Sequence, residues 1–223
     1  MEPMHRRHSG AKPRAARTST LSDNDGLTPP RGGADNDFRR RLLEAMAASV
    51  AEVGYSATMV ADIVRRAHTS RRTFYEYFPD RESCLVALLS EANEANIAAI
   101  AQAVDPAAPW RTQIRQAVQA WVACAEAHPS LTLAWIRDVP ALGAHARALQ
   151  RSVMSRFIEL VQALSDTPEL RVAGIEPLSR ARAIMVLGGL RELTAMTVEE
   201  DQPLAGIVEE AVRAAIGVVK PDS

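Results

Sequence analysis

The chain of 223 residues contains only two cysteines, and aromatic residues make up 4% of it. Cys84 and Cys124 lie in segments with helical periodicity, and they show neither CxxC spacing nor a set of partner histidines. A disulfide framework and a zinc site are therefore not expected. We expect both cysteines to be small residues of the core.

Long uncharged stretches are also absent. The longest segments without Asp, Glu, Lys or Arg span ten residues, at 95–104, 116–125 and 127–136. A membrane-spanning helix needs roughly 18–20 predominantly apolar residues, so no transmembrane segment is expected. The N-terminal Met-Glu-Pro-Met-His-Arg-Arg is not followed by an apolar stretch, which disfavours an ordinary secretory signal. These features predict a cytoplasmic protein without a membrane partner.

Motifs of common enzyme classes are missing as well. The sequence contains no GxGxxG, P-loop, HExxH or GxSxG motif. No predicted helix has the Glu-x-x-His spacing of a di-iron carboxylate site. An enzyme built on a helical bundle is therefore disfavoured, and neither a cofactor nor a bound metal is expected.

Charged residues of the two signs are nearly equal in number but unevenly distributed. The chain has 26 Lys and Arg residues against 27 Asp and Glu residues. Residues 1–82 contain 14 basic and 11 acidic side chains, a net charge of +3, whereas residues 83–223 contain 12 basic and 16 acidic ones, a net charge of −4. A basic N-terminal part is compatible with nucleic-acid binding.

The first 37 residues contain four prolines and four glycines among Ser, Thr, Asp and Asn, with almost no large apolar residue. Such a segment cannot bury enough surface to offset the entropy lost on ordering. We interpret residues 1–37 as a disordered arm. Its basic first half is either a solvated tail or a source of additional nonspecific attraction to phosphates.

Helical periodicity starts at Phe38. Apolar residues recur at helical spacing from Leu42 to Val53, and Gly54 is placed to end this first helix as a C-terminal cap. No run of β-branched residues typical of a strand follows.

Two short helices and one long helix are predicted next. Thr58 is placed to cap a helix that extends to Arg66, and Ser70 to cap a helix from Arg71 to about Phe78. Pro79-Asp80 then interrupts the chain before a longer helix, which starts at Arg81 or Glu82 and ends near Val104.

The remainder of the chain is also predicted to be helical. Breaks at 105–109, at Pro129 and at Pro140 separate the helical segments. The predicted helices cover residues 114–128, 130–138, 142–165, 177–197 and 204–219, with a loop at 166–176. About nine helices and no repeat of fixed period result, which predicts an all-α fold.

The two short helices have the arrangement of a helix-turn-helix motif, in which the second helix enters the major groove of DNA. Here the pair is Thr58–Arg66 and Arg71–Tyr77. The second helix is predicted to bury Phe74 and Phe78 and to expose two arginines, a threonine and two tyrosines. Arginine donates bidentately to guanine or phosphate, and the hydroxyl groups donate to phosphate.

Two runs of residues closely resemble the TetR family of bacterial transcriptional regulators. They are Gly54-Tyr55-Ser56-Ala57-Thr58-Met59-Val60-Ala61-Asp62-Ile63 and Ser70-Arg71-Arg72-Thr73-Phe74-Tyr75-Glu76-Tyr77-Phe78-Pro79-Asp80-Arg81-Glu82. The resemblance implies an all-α homodimer with a helix-turn-helix DNA-binding domain at 38–83 and an effector-binding and dimerisation domain at 84–223. It implies a regulator that responds to a small molecule, most often a repressor.

The resemblance also implies candidate DNA contacts. The first of them matches a hydroxyl cap that also contacts phosphate, and the last replaces a lysine that lies near the DNA backbone. The two arginines of the recognition helix match positions that vary in the family and often set sequence choice. The candidates are Thr58, Ser70, Arg71, Arg72, Thr73, Tyr75, Tyr77 and Arg81.

Two other residues of the motif are expected to have structural roles. Tyr55 is expected to pack between helices. His68 stands where the turn of the family commonly has glycine, and histidine tolerates a positive φ at a cost on the order of 1 kcal/mol.

The second half of the chain contains candidates for an effector pocket and a dimer interface. For each pocket candidate, ordinary core packing is the alternative, and Arg137 is either a polar anchor for a ligand or a partner of Asp138 or Glu126. The pocket candidates are Trp110, Trp121, Trp135, Arg137, Met154, Phe157 and Met185. Dimerisation is expected through segments 177–197 and 204–219, with Arg182, Val186, Gly189, Val208 and Val212 at the interface.

The expected partners are a pseudo-palindromic double-stranded DNA operator, a second copy of the chain and a small, largely apolar effector. The alternative to a regulator is a helical protein-binding or structural module that does not bind DNA.

Overall fold

Every regular element in the described part of the chain is helical. The computed structural model describes residues 31–220, and this range contains no β-strand. The predicted all-α fold is therefore confirmed. The α-helices are α1 (Arg31–Ala57), α2 (Val60–Arg66), α3 (Arg71–Tyr77), α4 (Arg81–Ala103), α5 (Trp110–Ala127), α6 (Pro129–Leu133), α7 (Ala144–Leu164), α8 (Pro168–Val172), α9 (Arg180–Glu199) and α10 (Val208–Val219). A π-helical turn covers Ala134–Asp138, and 3-10 turns cover Val139–Ala141 and Leu204–Ile207.

α1 begins earlier than predicted. Residues 31–37, assigned above to a disordered arm, form the first turns of α1, so this part of the prediction is wrong. Asp37 forms salt bridges with Arg40 and Arg41, at positions i+3 and i+4. Pairs at this spacing stabilise a helix by roughly 0.2–0.5 kcal/mol each. The rest of the predicted arm, residues 1–30, lies outside the described residues.

Gly54 interrupts α1, as predicted. Its φ of 75° and ψ of 163° lie in a region that is essentially restricted to glycine. The change of direction places the next residue, Tyr55, in the core, where 5% of its surface is exposed. The packing role expected for Tyr55 is confirmed.

The start of α2 differs from the prediction. Met59 is the N-cap residue, and the carboxylate of Asp62 accepts a hydrogen bond from its N–H at 3.3 Å. Thr58 is fully buried, and its hydroxyl donates to the carbonyl oxygen of Gly54 at 2.8 Å. The prediction of Thr58 as the cap is wrong because its hydroxyl bonds back to the end of α1 and not forward to α2.

The turn into α3 and the starts of α3 and α4 agree with the sequence. His68 has a φ of 50°, the left-handed conformation expected at a position where glycine is common. Ser70 Oγ accepts a hydrogen bond from the N–H of Thr73 at 3.0 Å. Asp80 Oδ1 accepts one from the N–H of Ser83 at 2.7 Å, which caps α4.

α4 packs against α1, α5 and α7. A continuous cluster of buried apolar residues extends from Leu42 in α1 to Ala195 in α9. The expected domain boundary between residues 83 and 84 therefore falls within shared packing. Among the described helices, α4 is long and apolar enough to cross a membrane by length and composition alone. Core helices pass the same test, and contacts with three other helices account for its apolar character.

Several helix boundaries in the second half differ from the predictions. The segment 130–138 is divided between α6 and the π-helical turn, and the predicted loop at 166–176 contains α8. α9 begins after Ser179, whose hydroxyl accepts a hydrogen bond from the N–H of Arg182, and not at 177. The segment predicted from 204 starts with a 3-10 turn before α10.

We predict that Gly54→Ala lowers the free energy of unfolding by about 1–3 kcal/mol. Nothing lies within 4 Å of a Cβ built at Gly54, so this cost comes from the backbone conformation and not from a clash. Val53→Ala, at the adjacent half-exposed position, is the control and changes the unfolding free energy by less than about 0.5 kcal/mol. Urea-induced unfolding followed by circular dichroism measures both; equal stability of the two variants contradicts the prediction.

Candidate nucleic-acid interface and effector cavities

α3 has one buried and one exposed face. Phe74 is fully buried and Phe78 nearly so, which fixes the helix against the core. Arg71 and Arg72 are exposed on the other side, and 55% of the Tyr75 surface is accessible. The structure therefore brings these three candidate DNA contacts together on one outward face, as the sequence predicted.

The two arginines of this face differ in their partners. Arg72 Nε lies 3.2 Å from a carboxylate oxygen of Glu76, one turn further along α3. Arg71 forms no salt bridge with any residue in the range 36–220, where the side chains are described. Arg71 can therefore contact DNA without breaking a salt bridge, whereas Arg72 must first give up its contact with Glu76.

The remaining polar residues of α3 lie at its edge. Ser70 and Thr73 are joined by the capping bond and by a contact of 3.0 Å between their hydroxyl groups. Thr73 and Tyr77 are partly buried, so only part of each side chain is accessible. Thr58 is buried and, in this conformation, has no surface with which to contact a phosphate.

Arg81 joins the start of α4 to the end of α1. Its Nη1 donates to the carbonyl oxygens of Tyr55, at 3.3 Å, and of Thr58. Its guanidinium carbon lies 4.4 Å from the centre of the Tyr55 ring, a cation–π geometry. The sequence predicted a phosphate contact, but the structure uses this guanidinium to hold the segment between α1 and α2 against α4.

Two adjoining cavities lie between the helices that follow α3. The larger of the two, of about 100 Å³, is bounded mainly by α4, α5, α7, α9 and α10 and is named the inner cavity for its apolar lining; both cavities open to the surface. The outer cavity, of about 60 Å³, is bounded mainly by α4, α5 and α6. Ile100, Trp121 and Phe157 line both cavities. The rings of Trp121 and Phe157 meet edge to face with centres 5.5 Å apart, and they form the wall between the two cavities.

Three of the seven pocket candidates line these cavities: Trp121, Trp135 and Phe157. The prediction for Trp110 and Met154 is wrong for these two cavities, because neither lines them. Trp110 packs against a separate buried cluster that includes Leu170, with the cations of Arg111 and Lys220 at 4.5 and 6.0 Å from its ring centre, and Met154 packs against the main core.

Met185 is 59% exposed. It lines neither of these two cavities but a separate one of about 200 Å³ between α9 and α10, so its assignment to an effector pocket stays a prediction.

Arg137 is not an anchor for a ligand in these cavities. Its guanidinium donates to both carboxylate oxygens of Glu192, each at 2.8 Å, and to those of Glu199 at 2.7 and 3.0 Å. The expected alternative partners, Asp138 and Glu126, are not used. Hydrogen bonds from Arg137 lower the pKa of both Glu192 and Glu199. The guanidinium of Arg137 therefore links the π-helical turn to α9 through salt bridges.

The polar residues of the outer cavity did not stand out in the sequence. Asn96, His128 and Thr132 line it together with Cys124 and with Asn93, whose amide donates to the carbonyl oxygen of Leu89 at 2.7 Å. They come from α4, from the end of α5 and from α6, so only the packing of these helices brings them together. Within residues 31–220, no group of three or more His, Cys, Asp or Glu residues is placed to hold a metal ion.

The two cysteines have different environments. Cys84 is fully buried, and burial raises its pKa to about 12. The expectation of a core residue is confirmed for Cys84. Cys124 is only partly buried in the wall of the outer cavity, where burial also raises its pKa. A thiol at the cavity wall is a more accessible group than the sequence suggested.

The candidate dimer residues do not all reach the surface. Val212 is buried at 3% exposure and packs in the same cluster as Val118, so its assignment to an interface is wrong. Val208 is partly buried in a similar way. Arg182 and Gly189 are exposed on α9, and Val186 is half-buried beside them.

Three exposed apolar residues of α9 were not among the dimer candidates. Ile184 and Met196 are each 47% exposed, and Met185 is 59% exposed. Gly188 and Gly189 lie on the accessible side of the same helix, with nothing within 4 Å of a Cβ at either position. The accessible surface of α9 is therefore unusually apolar for a helix in contact with water.

The helix-turn-helix formed by α2 and α3, with a basic outward face on α3, defines a DNA-binding protein. Residues 42–88 match the family model described as bacterial regulatory proteins, tetR family. This match supports a transcriptional regulator of the TetR family, as the motif resemblance predicted. A comparison of the sequence with curated proteins found no match.

Several solved structures share the fold. FadR from Bacillus subtilis, in complex with stearoyl-CoA, is 17% identical with a TM-score of 0.69, over 82% of this chain and 99% of that chain. FadR from Bacillus halodurans is 19% identical with a TM-score of 0.69, over 81% and 99%. The reduced form of NemR from E. coli is 15% identical with a TM-score of 0.65, over 82% and 97%. At these identities the likeness establishes the fold.

We predict that Arg81→Ala lowers both the melting temperature and the affinity for DNA without changing the salt dependence of binding. The reason is that Arg81 holds α1 against α4, whereas loss of a phosphate contact reduces the slope of log K against log salt by about 1. Arg71→Ala is the control, because it removes an unpaired cation from the exposed face and is expected to reduce the slope.

Thermal unfolding and fluorescence anisotropy, with a duplex from upstream of the gene at several salt concentrations, measure these effects. A reduced slope for Arg81→Ala at unchanged melting temperature would indicate that Arg81 contacts a phosphate and would contradict its structural role.

We also predict that Cys124, and not Cys84, is alkylated in the folded protein. Because burial raises both pKa values, the neutral thiols are favoured, and the reactive thiolate forms only as the pH rises. Iodoacetamide labelling read by mass spectrometry is expected to speed up with pH at Cys124, and Cys124→Ser removes the signal. Equal labelling of both residues in the native state contradicts the prediction.

Proposed function

We propose that this regulator is a repressor that binds a pseudo-palindromic operator as a homodimer and is released by a small, largely apolar molecule. The observation that supports DNA binding most directly is the outward face of α3, where Arg71, Arg72 and Tyr75 are accessible together. A buried phenylalanine face opposite them holds α3 in a fixed orientation.

In this proposal the residues of α3 divide into two groups. Arg71, Arg72 and Tyr75 face the major groove, where an arginine reads guanine bidentately. Ser70, Thr73 and Tyr77 lie at the edge of the helix, nearer to the expected path of the phosphates. Thr58 and Arg81 act indirectly, by maintaining the junction of α1, α2 and α4.

The accessible face of α9 supports the proposed dimer. Ile184, Met185 and Met196 expose apolar surface that a second copy would cover. Gly188 and Gly189 permit close approach of another helix at some cost in helix propensity, about 1 kcal/mol each. A two-fold dimer then places two α3 helices one DNA turn apart, about 34–36 Å, or at a multiple of that spacing.

The inner cavity supports a largely apolar effector, and FadR from Bacillus subtilis, which has the same fold, is known in complex with stearoyl-CoA. α6 and the π-helical turn contact both α1 and α9. An effector that moves these elements therefore changes the support of the DNA-binding helices. If it prefers the conformation with lower DNA affinity, DNA and effector weaken each other by the same factor. In keeping with such a regulator, we expect the chain to act in the cytoplasm.

We predict that Arg72→Ala reduces operator affinity by about 1–3 kcal/mol and relaxes the preference at one base position. Arg151→Ala is the matched control, since Arg151 is an exposed arginine on α7 far along the chain from the motif. Fluorescence anisotropy with the upstream duplex and its single-base variants measures the change. Equal affinities of both variants and the parent chain contradict the assignment, and absence of any DNA binding favours a helical protein-binding module.

We further predict that Met185→Glu yields a monomer and abolishes operator binding, because a carboxylate on the apolar face of α9 cannot be buried without a partner. Val172→Glu is the control, since Val172 is 86% exposed on α8 and is expected to tolerate the charge. Sedimentation velocity at micromolar concentration distinguishes the two states; a dimeric Met185→Glu variant rules out this interface.

A further inference from the structure

The inner cavity offers no free polar group to a ligand. The side-chain amide of Gln113 donates to two carbonyl oxygens of the 105–109 loop, and its oxygen accepts from the hydroxyl of Thr167 at 3.0 Å. The hydroxyl of Ser165 donates to a carbonyl of the preceding turn at 2.8 Å and accepts from the N–H of Leu178 at 2.9 Å. Both polar side chains are therefore fully used within the protein.

The polar group in the wall between the cavities is also hydrogen-bonded within the protein. The indole N–H of Trp121 donates to Thr194 Oγ1 at 3.0 Å, and that hydroxyl donates to the carbonyl of Leu190 at 2.7 Å. The inner cavity thus presents only apolar contacts. Its volume of about 100 Å³ is of the order of an engineered apolar cavity of about 150 Å³ that binds benzene. It suits one ring or a short alkyl chain.

The outer cavity has the opposite character. The side chains of Asn96, His128 and Thr132 line it, and none of the three forms a hydrogen bond to another residue in the described range. Asn96 and Thr132 are half-buried, and His128 is exposed. These groups provide an amide, an imidazole and a hydroxyl, which can donate to or accept from a ligand.

Neither cavity contains a fixed charge. Among the described residues, no Asp, Glu, Lys or Arg lines the inner or the outer cavity. A carboxylate, phosphate or ammonium group held there would lose hydration without gaining an ion pair, which is costly. The nearby cation of Arg137 is already bound by Glu192 and Glu199. The lining therefore selects against charged ligands.

We propose that the effector is a neutral amphiphile: one ring or short alkyl chain in the inner cavity, joined to an uncharged hydrogen-bonding group that binds Asn96, His128 and Thr132 in the outer cavity. This inference rests on the effector site of the proposed function and specifies its ligand class. A single molecule that occupies both cavities contacts the residues they share, Ile100, Trp121 and Phe157.

The test compares three probes with one carbon skeleton: 4-phenylbutanamide, 4-phenylbutanoate and 4-phenylbutan-1-amine. At neutral pH the first is uncharged, the second anionic and the third cationic. Isothermal titration calorimetry with the full chain is expected to show the amide binding at least about tenfold more tightly than either ion. Equal or tighter binding of an ion overturns the inference, and so does absence of amide binding up to its solubility limit.

Cavity variants locate the bound probe. Ala117 lines the inner cavity on α5, so Ala117→Phe is expected to fill it and abolish amide binding. Ala123→Phe is the matched control, because Ala123 is exposed on the same helix and lines neither cavity. His128→Ala, at the exposed end, is expected to weaken the amide several-fold and to leave butylbenzene binding unchanged. This surface variant keeps the test decisive if Ala117→Phe does not fold.

Two further measurements separate this inference from the proposed function. Bound amide is expected to protect Cys124, in the wall of the outer cavity, from iodoacetamide, and unprotected labelling at saturation overturns the location. Operator affinity is measured in parallel by anisotropy. Tight amide binding without operator release supports the ligand class and contradicts the proposed switch, whereas operator binding without any amide binding contradicts the ligand class alone.

Discussion

The arrangement of the whole chain depends on α4, because this one continuous helix belongs both to the DNA-binding part and to the effector cavities. Arg81 in its first turn holds the end of α1, and Ile100 near its other end lines both cavities. Nineteen residues separate them, roughly 28 Å at 1.5 Å per residue. In the proposed switch, a rigid-body displacement of α4 at the cavity end also changes the support of α2 and α3. No chain of successive side-chain rearrangements is needed between the two sites.

The parts of the structure that the sequence predicted correctly are those decided by local backbone chemistry. Gly54, His68, Ser70 and Asp80 each act within four residues of their position, and the structure confirms the breaks and caps assigned to them. The structure gives Thr58, Arg81 and Arg137 partners that the sequence did not predict, for one shared reason. Each of these side chains has several possible partners, and the folded chain decides which is nearest. The carboxylates that bind Arg137 lie 55 and 62 positions further along the chain, whereas Asp138 and Glu126 are close only in sequence.

The cavities and the exposed face of α9 were harder to predict. When a helix is apolar nearly all round, hydrophobic periodicity does not show which of its faces is buried and which is exposed. Met185 and Val186 are neighbours in sequence, yet Met185 faces solvent and Val186 reaches the inner cavity. The polar lining of the outer cavity was missed for the opposite reason. Asn96, His128 and Thr132 lie on different helices, and each by itself has the pattern of a solvent-facing residue. Their convergence results from the packing of α4, α5 and α6.

The energetics of a switch indicate which part of an effector controls DNA release. Moving a two-state equilibrium from 1:99 to 99:1 requires a difference in affinity of about 10⁴, or about 5.5 kcal/mol. Burial of one ring or short chain contributes roughly 1.5–3 kcal/mol, and it contributes equally to both states if the inner cavity keeps its shape. In that case it adds nothing to the difference, which must come entirely from contacts made in only one state. Thr132 lies on α6, and α6 packs against both α1 and α9, so a hydrogen bond to Thr132 depends on the position of α6. One such bond contributes a net of about 0.5–1.5 kcal/mol, so in the proposed switch the polar group of a neutral amphiphile supplies part of the difference and the movement of α6 must add further contacts.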